Sequence, residues 1–234
     1  MRSRASKLGV DSRLGRPGGL STQKVLAAAV GKAWPASLIV RDAHRCEPPW
    51  TVAELFYSTQ RRVMQAVSAR LATPGTVLDI GCGTGRLIAH LQRARPGMRV
   101  IGLEPSARCA AVCGRRTNVD VVRAMAEALP HEDGSFDAVM SSMSFHRWAD
   151  KPRALREAAR VLRPGGVLAL ADISPDDLTE HPFLRNLLRP FTFDTPPLAD
   201  RHRWLESAGL RLLYVVPTIM EQNVFLTVAE RSLA

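Results

Sequence analysis

The sequence predicts an α/β fold: a doubly wound, mostly parallel sheet with helices on both faces. Three observations carry that expectation. From residue 77 onward, short apolar runs alternate with helix-compatible segments, the order that builds parallel strands joined by helical crossovers. The first of these runs, residues 77–80, passes directly into Gly81, Gly83 and Gly85, a tight loop between a strand and a helix. Pro96-Gly97 and Pro164-Gly165-Gly166 then punctuate the alternation where helices should stop.

In chain order, residues 50–72 read as an amphipathic helix with Val52, Leu55, Phe56, Val63, Val67 and Leu71 near one face, ended by Thr73-Pro74-Gly75. Strands are predicted at 77–80, 99–103, 119–123, 136–142 and 167–173, with helices at 85–94, 106–115 and 151–162 between them. Residues 163–166 read as a turn. Five prolines loosen the pattern over 174–197; a helix at 198–207 and two strands, near 210–217 and 223–229, close the chain.

The chain has 234 residues and a formal net charge of +10. Residues 1–76 hold 12 Lys/Arg and 4 Asp/Glu, a net of +8, whereas residues 77–234 hold 20 and 18, a net of +2. The basic excess therefore belongs to the N-terminal part. Residues 1–45, with a weak helix signal only near 22–33, read as a basic, poorly ordered arm, and 46–234 as the folded domain. A basic arm can meet nucleic acid or an anionic membrane, but a solvated tail is its plainer reading. Its Arg- and Ser-rich, acid-poor composition overlaps with organellar transit peptides; a cytoplasmic protein with a basic arm is favoured over that alternative. No apolar run is long enough to span a bilayer. Cysteines 46, 82, 109 and 113 lack zinc spacing and read as small side chains in a reducing compartment, so no metal site is expected.

The glycine loop is not a dinucleotide fingerprint, because the sixth position of a G-x-G-x-x-G frame is Arg86. The pattern is D-x-G-x-G-x-G. It is the first of five stretches in order: VLDIGCGTG at 77–85, VIGLEPS at 100–106, AEALPHEDGSFDAVMSS at 126–142, FHRWAD at 145–150 and EAARVLRPGGVLALAD at 157–172. Together these resemble the class I S-adenosylmethionine (SAM)-dependent methyltransferase superfamily, and within it the small-molecule group that includes the ubiquinone/menaquinone-type C-methyltransferases. The resemblance covers residues ~50–230 and implies a Rossmann-like, seven-stranded sheet.

What it implies for residues follows the motifs. Asp79 would accept hydrogen bonds from the cofactor's methionine portion, Gly81, Cys82 and Gly83 would let backbone lie against it, and Glu104 with Pro105 would hold the ribose hydroxyls. Residues 124–129 match the adenine stretch, with Ala126 offering its N–H. Met125 stands where many relatives have an acid or Thr, so a thioether packed on the ring replaces a polar contact. The end of the fourth predicted strand, residues 141–146 with Ser142 among them, should face the transferred methyl. His146 is the candidate general base; His146, Trp148 and Asp172 are candidate substrate contacts. Phe183, Leu187, Leu188, Phe191 and Phe193 would shape a partly apolar acceptor pocket.

The resemblance thus implies an enzyme (EC 2.1.1.-) that methylates a carbon or oxygen of a small, partly apolar molecule and leaves S-adenosyl-L-homocysteine. Two other functions stay open: a nucleic-acid methyltransferase using the basic arm, and a non-catalytic SAM-binding regulator. The sequence carries no N-P-P-Y-type segment and no Pro-Cys pair, and none of its basic runs is interleaved with aromatics.

Overall fold

Alternating apolar side chains in β1 (Thr76–Ile80) divide between two cores, with Val77 on one face of a sheet and Leu78 and Ile80 on the other. The same division recurs in β4 (Phe136–Ser142), where Ala138 and Met140 oppose Val139. A strand buried on both faces carries apolar groups toward both, as Val77–Leu78 and Ala138–Val139–Met140 do. The computed structural model describes residues 50–71, 74–174, 196–219 and 224–233. The expected arm at 1–45, the weak helix at 22–33 and the apolar residues 183–193 lie outside the described residues.

The elements are α1 (Trp50–Ser68), β1, α2 (Arg86–Ala94), β2 (Arg99–Leu103), α3 (Ala107–Thr117), β3 (Val121–Val122), β4, α4 (Lys151–Val161), β5 (Leu162–Ile173), α5 (Leu198–Ser207), β6 (Leu210–Ile219) and β7 (Val224–Arg231), with a 3-10 turn at Phe145–Arg147 after β4. The sheet order is β3-β2-β1-β4-β5-β7-β6. The first five strands are parallel and β7 inserts antiparallel between β5 and β6. The order reverses at β1, between β2 and β4, which places a crevice at the carboxyl ends of those strands. Among the described residues no helix is long and apolar enough to cross a membrane.

Local chemistry sets the helix ends. Ser106 accepts the Cys109 N–H to start α3, and Asn118 ends it in the left-handed conformation. Asp150 accepts the Arg153 N–H to start α4, whose Pro152 lies in the first turn. On one face Val63, Val67 and Leu71 pack with Leu87, Ile88 and Leu91; on the other Leu155 and Leu205 pack with Leu78 and Leu168.

Three expectations are corrected. Residues 163–166 are not a free turn: β5 starts at Leu162, paired with Phe136, and the next pair is Ala138 with Val167. Four residues therefore bulge opposite Asp137. That carboxylate holds the bulge by accepting the Thr76 N–H at 2.5 Å and pairing with Arg163. Gly166 closes it, because a Cβ there would lie 2.8 Å from the Arg163 carbonyl oxygen. The third strand is shorter than 119–123; only Val121 and Val122 pair, with Gly102 and Leu103. Cys82 and Cys113 are free and buried, whereas Cys109 is disulfide-bonded, unlike the reading of four reduced thiols.

Candidate active site

The crevice is built from the chain turns that leave β1, β2 and β4, with the carboxyl end of β5 beside them. After Ile80 the chain bends at Gly81 (φ +73), a conformation that disfavours a side chain, and the N–H groups of Gly81 and Cys82 both donate to the Leu103 carbonyl, at 2.8 and 3.1 Å. That pins the loop to the end of β2. A Cβ on Gly81 would lie 2.1 Å from Ser144 Oγ, so the loop also presses on the segment after β4. Gly83 differs: a Cβ there would meet nothing within 4 Å, so its backbone faces open space. Thr84 is buried, and Arg116 of α3 donates to its hydroxyl at 2.7 Å and its carbonyl at 3.0 Å.

Glu104 follows β2 and is nearly buried. Its Oε2 accepts the Gly83 N–H at 3.0 Å and its Oε1 the Ser106 N–H at 2.9 Å. Each carboxylate oxygen keeps capacity for a second donor. Pro105 beside it is exposed. Asp79, on β1 before the loop, is 1% exposed, and its Oδ2 has no partner. Burial, first, and then the nearby Cys113 and Glu104 raise its pKa well above the ordinary carboxylate value. The Cys82 thiol is also driven up, by its hydrogen bond to Cys113 Sγ (3.7 Å), by burial and by the acids Asp79 and Glu104. A thiol held protonated in this way is a packed spacer and a poor nucleophile.

Ala126 is buried, while Met125 is half exposed, one of few large apolar side chains on the described surface. Glu127 accepts the N–H groups of Ala149 and Asp150 at 2.6 and 3.1 Å, which ties this loop to the start of α4. Ser142, last in β4, has a buried hydroxyl without a partner. Met143 next to it has positive φ (+56), a rare conformation for a side chain with a Cβ.

The sharp turn at Met143 brings the 3-10 turn back over β5. There His146 Nδ1 lies 2.9 Å from Asp172 Oδ1 and 3.2 Å from Oδ2, and the His146 backbone N–H donates to Oδ2 at 3.0 Å. Asp172 is fully buried and also accepts the Ile173 N–H at 2.7 Å. Burial alone would raise its pKa, but His146, through charge and hydrogen bonds, and Arg201, through charge, bring it below the ordinary value. Trp148 is 5% exposed; its ring packs edge-on against Phe145 and its indole N–H donates to Ser144 Oγ at 3.0 Å.

The structure thus gathers Asp79, Gly81, Cys82, Gly83 and Glu104 into one unit, and joins His146 to Asp172, 26 residues apart. Two further residues take roles the sequence did not specify. Ser144 donates to the Ile80 carbonyl at 3.2 Å and joins β1, β4 and Trp148. Arg201, fully buried on α5, donates to the Ile173 carbonyl at 3.0 Å and lies over the Phe145 ring at 5.2 Å. A charged residue in a helix ordinarily reads as solvent-facing, so only the fold reveals it.

Comparisons with known proteins bear on the fold and its motifs. Residues 78–170 match the family described as "Methyltransferase domain". The chain is similar to the demethylmenaquinone methyltransferase of Thermus thermophilus, 37% identical over 107 residues, which are 44% of this chain and 49% of that protein. It is also similar to the malonyl-[acyl-carrier protein] O-methyltransferase of Enterobacter lignolyticus, 36% identical over 169 residues, 68% of this chain and 64% of that one. The chain spans about half the length of the first curated relatives it matches. A solved geranyl diphosphate methyltransferase, in complex with GPP and sinefungin, has the same fold at a TM-score of 0.63 and 17% identity, covering 74% of this chain and 76% of that one.

Proposed function

We propose that this chain, whose residues 78–170 form a methyltransferase domain of the class I SAM-dependent type, moves a methyl group from SAM to an oxygen or carbon of a small, partly apolar molecule. The observation that carries the reading is the crevice around the glycine loop. A buried Asp79 with an unpartnered Oδ2 stands beside the open backbone of Gly83, and Glu104 faces the same loop. The relative named for demethylmenaquinone supports a small, partly apolar acceptor, and the one named for malonyl-[acyl-carrier protein] an oxygen acceptor.

The residues fit the cofactor. Asp79 is the acceptor for the methionine ammonium group, and an ammonium beside it supplies the charge its burial denies it. Glu104 keeps lone pairs for both ribose hydroxyls while its bonds to Gly83 and Ser106 fix its orientation. Met125 offers exposed thioether surface to the adenine ring and Ala126 a backbone N–H. When bound, SAM supplies an electrophilic methyl on a sulfonium and leaves as S-adenosyl-L-homocysteine.

What the chain adds is position. The crevice walls hold an acceptor in line and exclude water, which is where most of the acceleration of such a transfer comes from. The loop is fixed on two sides, by Leu103 and by Ser144, so the cofactor seat is set before the acceptor arrives.

The test is incubation of the full chain with isotopically labelled methyl-SAM and fractionated lysate, with and without RNase. Label in a small-molecule fraction is expected. Label confined to an RNase-sensitive fraction would overturn the acceptor class in favour of nucleic acid.

A further inference from the structure

We propose that Cys82 of the glycine loop and Cys113 of α3 form a redox modification site, a dithiol that hydrogen peroxide closes to a disulfide, and that the closed form holds SAM more weakly. The site rests on the sulfur geometry; its effect on SAM rests on the methyltransferase reading above.

The two sulfurs come from residues 31 apart in the chain and meet at 3.7 Å. Cys113 is fully buried and Cys82 is 8% exposed. Each sulfur is backed by a glycine. A Cβ on Gly102 of β2 would lie 2.8 Å from Cys82 Sγ, and one on Gly85 would lie 2.6 Å from Cys113 Sγ. The sulfurs fill the space those side chains would need, and they face each other between the loop, β2 and α3.

The surroundings divide the pair into unlike partners. The Cys82 S–H first, then the Thr117 hydroxyl and the Arg116 charge, favour the Cys113 thiolate and outweigh its burial, bringing that pKa down to about 7. Arg116 is held in place by the Thr84 hydroxyl of the loop itself, at 2.7 Å. Cys82 keeps its proton. One sulfur is therefore ready to attack an oxidant and the other stands within reach to resolve the product.

The chemistry balances in two steps. The Cys113 thiolate attacks a peroxide oxygen: the S–O bond forms, the O–O bond breaks, and hydroxide leaves a sulfenic acid. The Cys82 sulfur then attacks that sulfur: the S–S bond forms, the S–O bond breaks, and the departing hydroxide takes the Cys82 proton. With one proton from solvent, the pair and one peroxide give one disulfide and two waters; the sulfurs are oxidised and the peroxide reduced.

Closure draws the sulfurs from 3.7 Å to about 2 Å. Cys82 cannot make that move without disturbing its neighbours. Its own N–H donates to the Leu103 carbonyl at 3.1 Å, and the next N–H, of Gly83, donates to Glu104 Oε2 at 3.0 Å. The pull is thus felt at the loop and at the ribose acceptor together. The coupling is reciprocal, so SAM held on the loop opposes closure. Open space in front of Gly83 gives a small oxidant its approach, and SAM bound there obstructs it.

The test treats the full chain with hydrogen peroxide and maps it with trypsin without reduction. A link between residues 71–86 and 109–115 is expected, forming more slowly with saturating SAM. Fragmentation should place the bond at Cys113, because Cys109 in the same peptide is already disulfide-bonded. In calorimetry the oxidised wild type should bind SAM about 10-fold more weakly, and dithiothreitol should restore it. C113A and C113S, checked for folding by thermal melts, should form no such link and keep their SAM affinity through peroxide. No link in the wild type, a bond placed elsewhere, or a link with unchanged SAM affinity overturns the proposal. An equal peroxide loss in C113A also overturns it, by assigning the damage to another group such as the exposed Met125. An untreated wild type that binds no SAM refutes the cofactor reading instead, and the link is judged by its own mass.

Discussion

Glu104 Oε2 accepts the Gly83 N–H at 3.0 Å, so the acid after β2 and the loop after β1 behave as one device. The E104A substitution removes both the loop's anchor and the ribose acceptor. Charge-assisted hydrogen bonds are worth about 1.5–3 kcal/mol, so SAM affinity should fall ~10- to 100-fold in calorimetry. Unchanged affinity would move the ribose away from Glu104.

Gly81 and Gly83 should fail in different ways. Alanine at Gly81 drives a Cβ to 2.1 Å from Ser144 Oγ at a positive φ, and G81A should lose about 1–3 kcal/mol of stability. Alanine at Gly83 meets no atom within 4 Å and bears only the cost of the positive φ (+54), about 1 kcal/mol, so G83A should melt closer to wild type than G81A yet bind SAM more weakly, because the methyl enters the cofactor seat. Thermal melts and calorimetry on both variants separate the two; a G83A that binds normally would show that the seat lies elsewhere.

The raised pKa of Asp79 has a definite sign. Relative to the unfolded chain, a carboxyl whose folded pKa is elevated stabilises the fold below its unfolded value, about 3.9, and that contribution is lost as pH rises through the elevated value. D79N should flatten that loss in denaturation curves. An ammonium favours the ionised carboxyl, so SAM affinity should climb with pH over the same window and then level off, with no such climb in D79N. A pH-independent wild-type affinity would separate Asp79 from the ligand's cationic group.

Arg160 of α4 gathers the loop before β4. It donates to Glu157 Oε1 and Oε2 at 2.8 Å each, to Asp133 at 2.7 Å, and to the carbonyls of His131 and Leu129. Its side chain is 30% exposed, so solvent weakens the charge terms. R160K keeps charge but loses the planar fork, and should destabilise by about 1 kcal/mol in urea unfolding. A stability equal to wild type would assign the loop's order to Glu157 and its bond to the Leu129 N–H alone.

Much of the sheet was legible because its strands announce themselves locally. β2 and β4 have the bounds read from their apolar runs, and α5 ends where Gly209 predicts. The bulge at 163–166 was not legible as such, because Pro-Gly-Gly signals a turn while the pairing of Leu162 with Phe136 is a long-range fact. The cofactor loop was readable because its residues are adjacent in sequence. The His146–Asp172 contact was not, and neither was buried Arg201: side chains 26 and 28 residues apart along the chain meet only once β4, β5 and α5 are packed.

The insertion of β7 between β5 and β6 has a consequence for how this chain acquires its shape. In the described sheet β6 pairs with β7 and with no other strand. As the polypeptide leaves the ribosome, residues 210–219 therefore emerge with apolar side chains and unpaired backbone edges, and β5 keeps an open edge along Val167–Ile173 until residues 224–231 slide between them. Such contacts across long sequence separations form late and leave hydrophobic strands unprotected in the interval. Among the described strands the one synthesised last lies inside the sheet and not at its edge, and the window of vulnerability to misassembly is set by the arrival of Val224–Arg231.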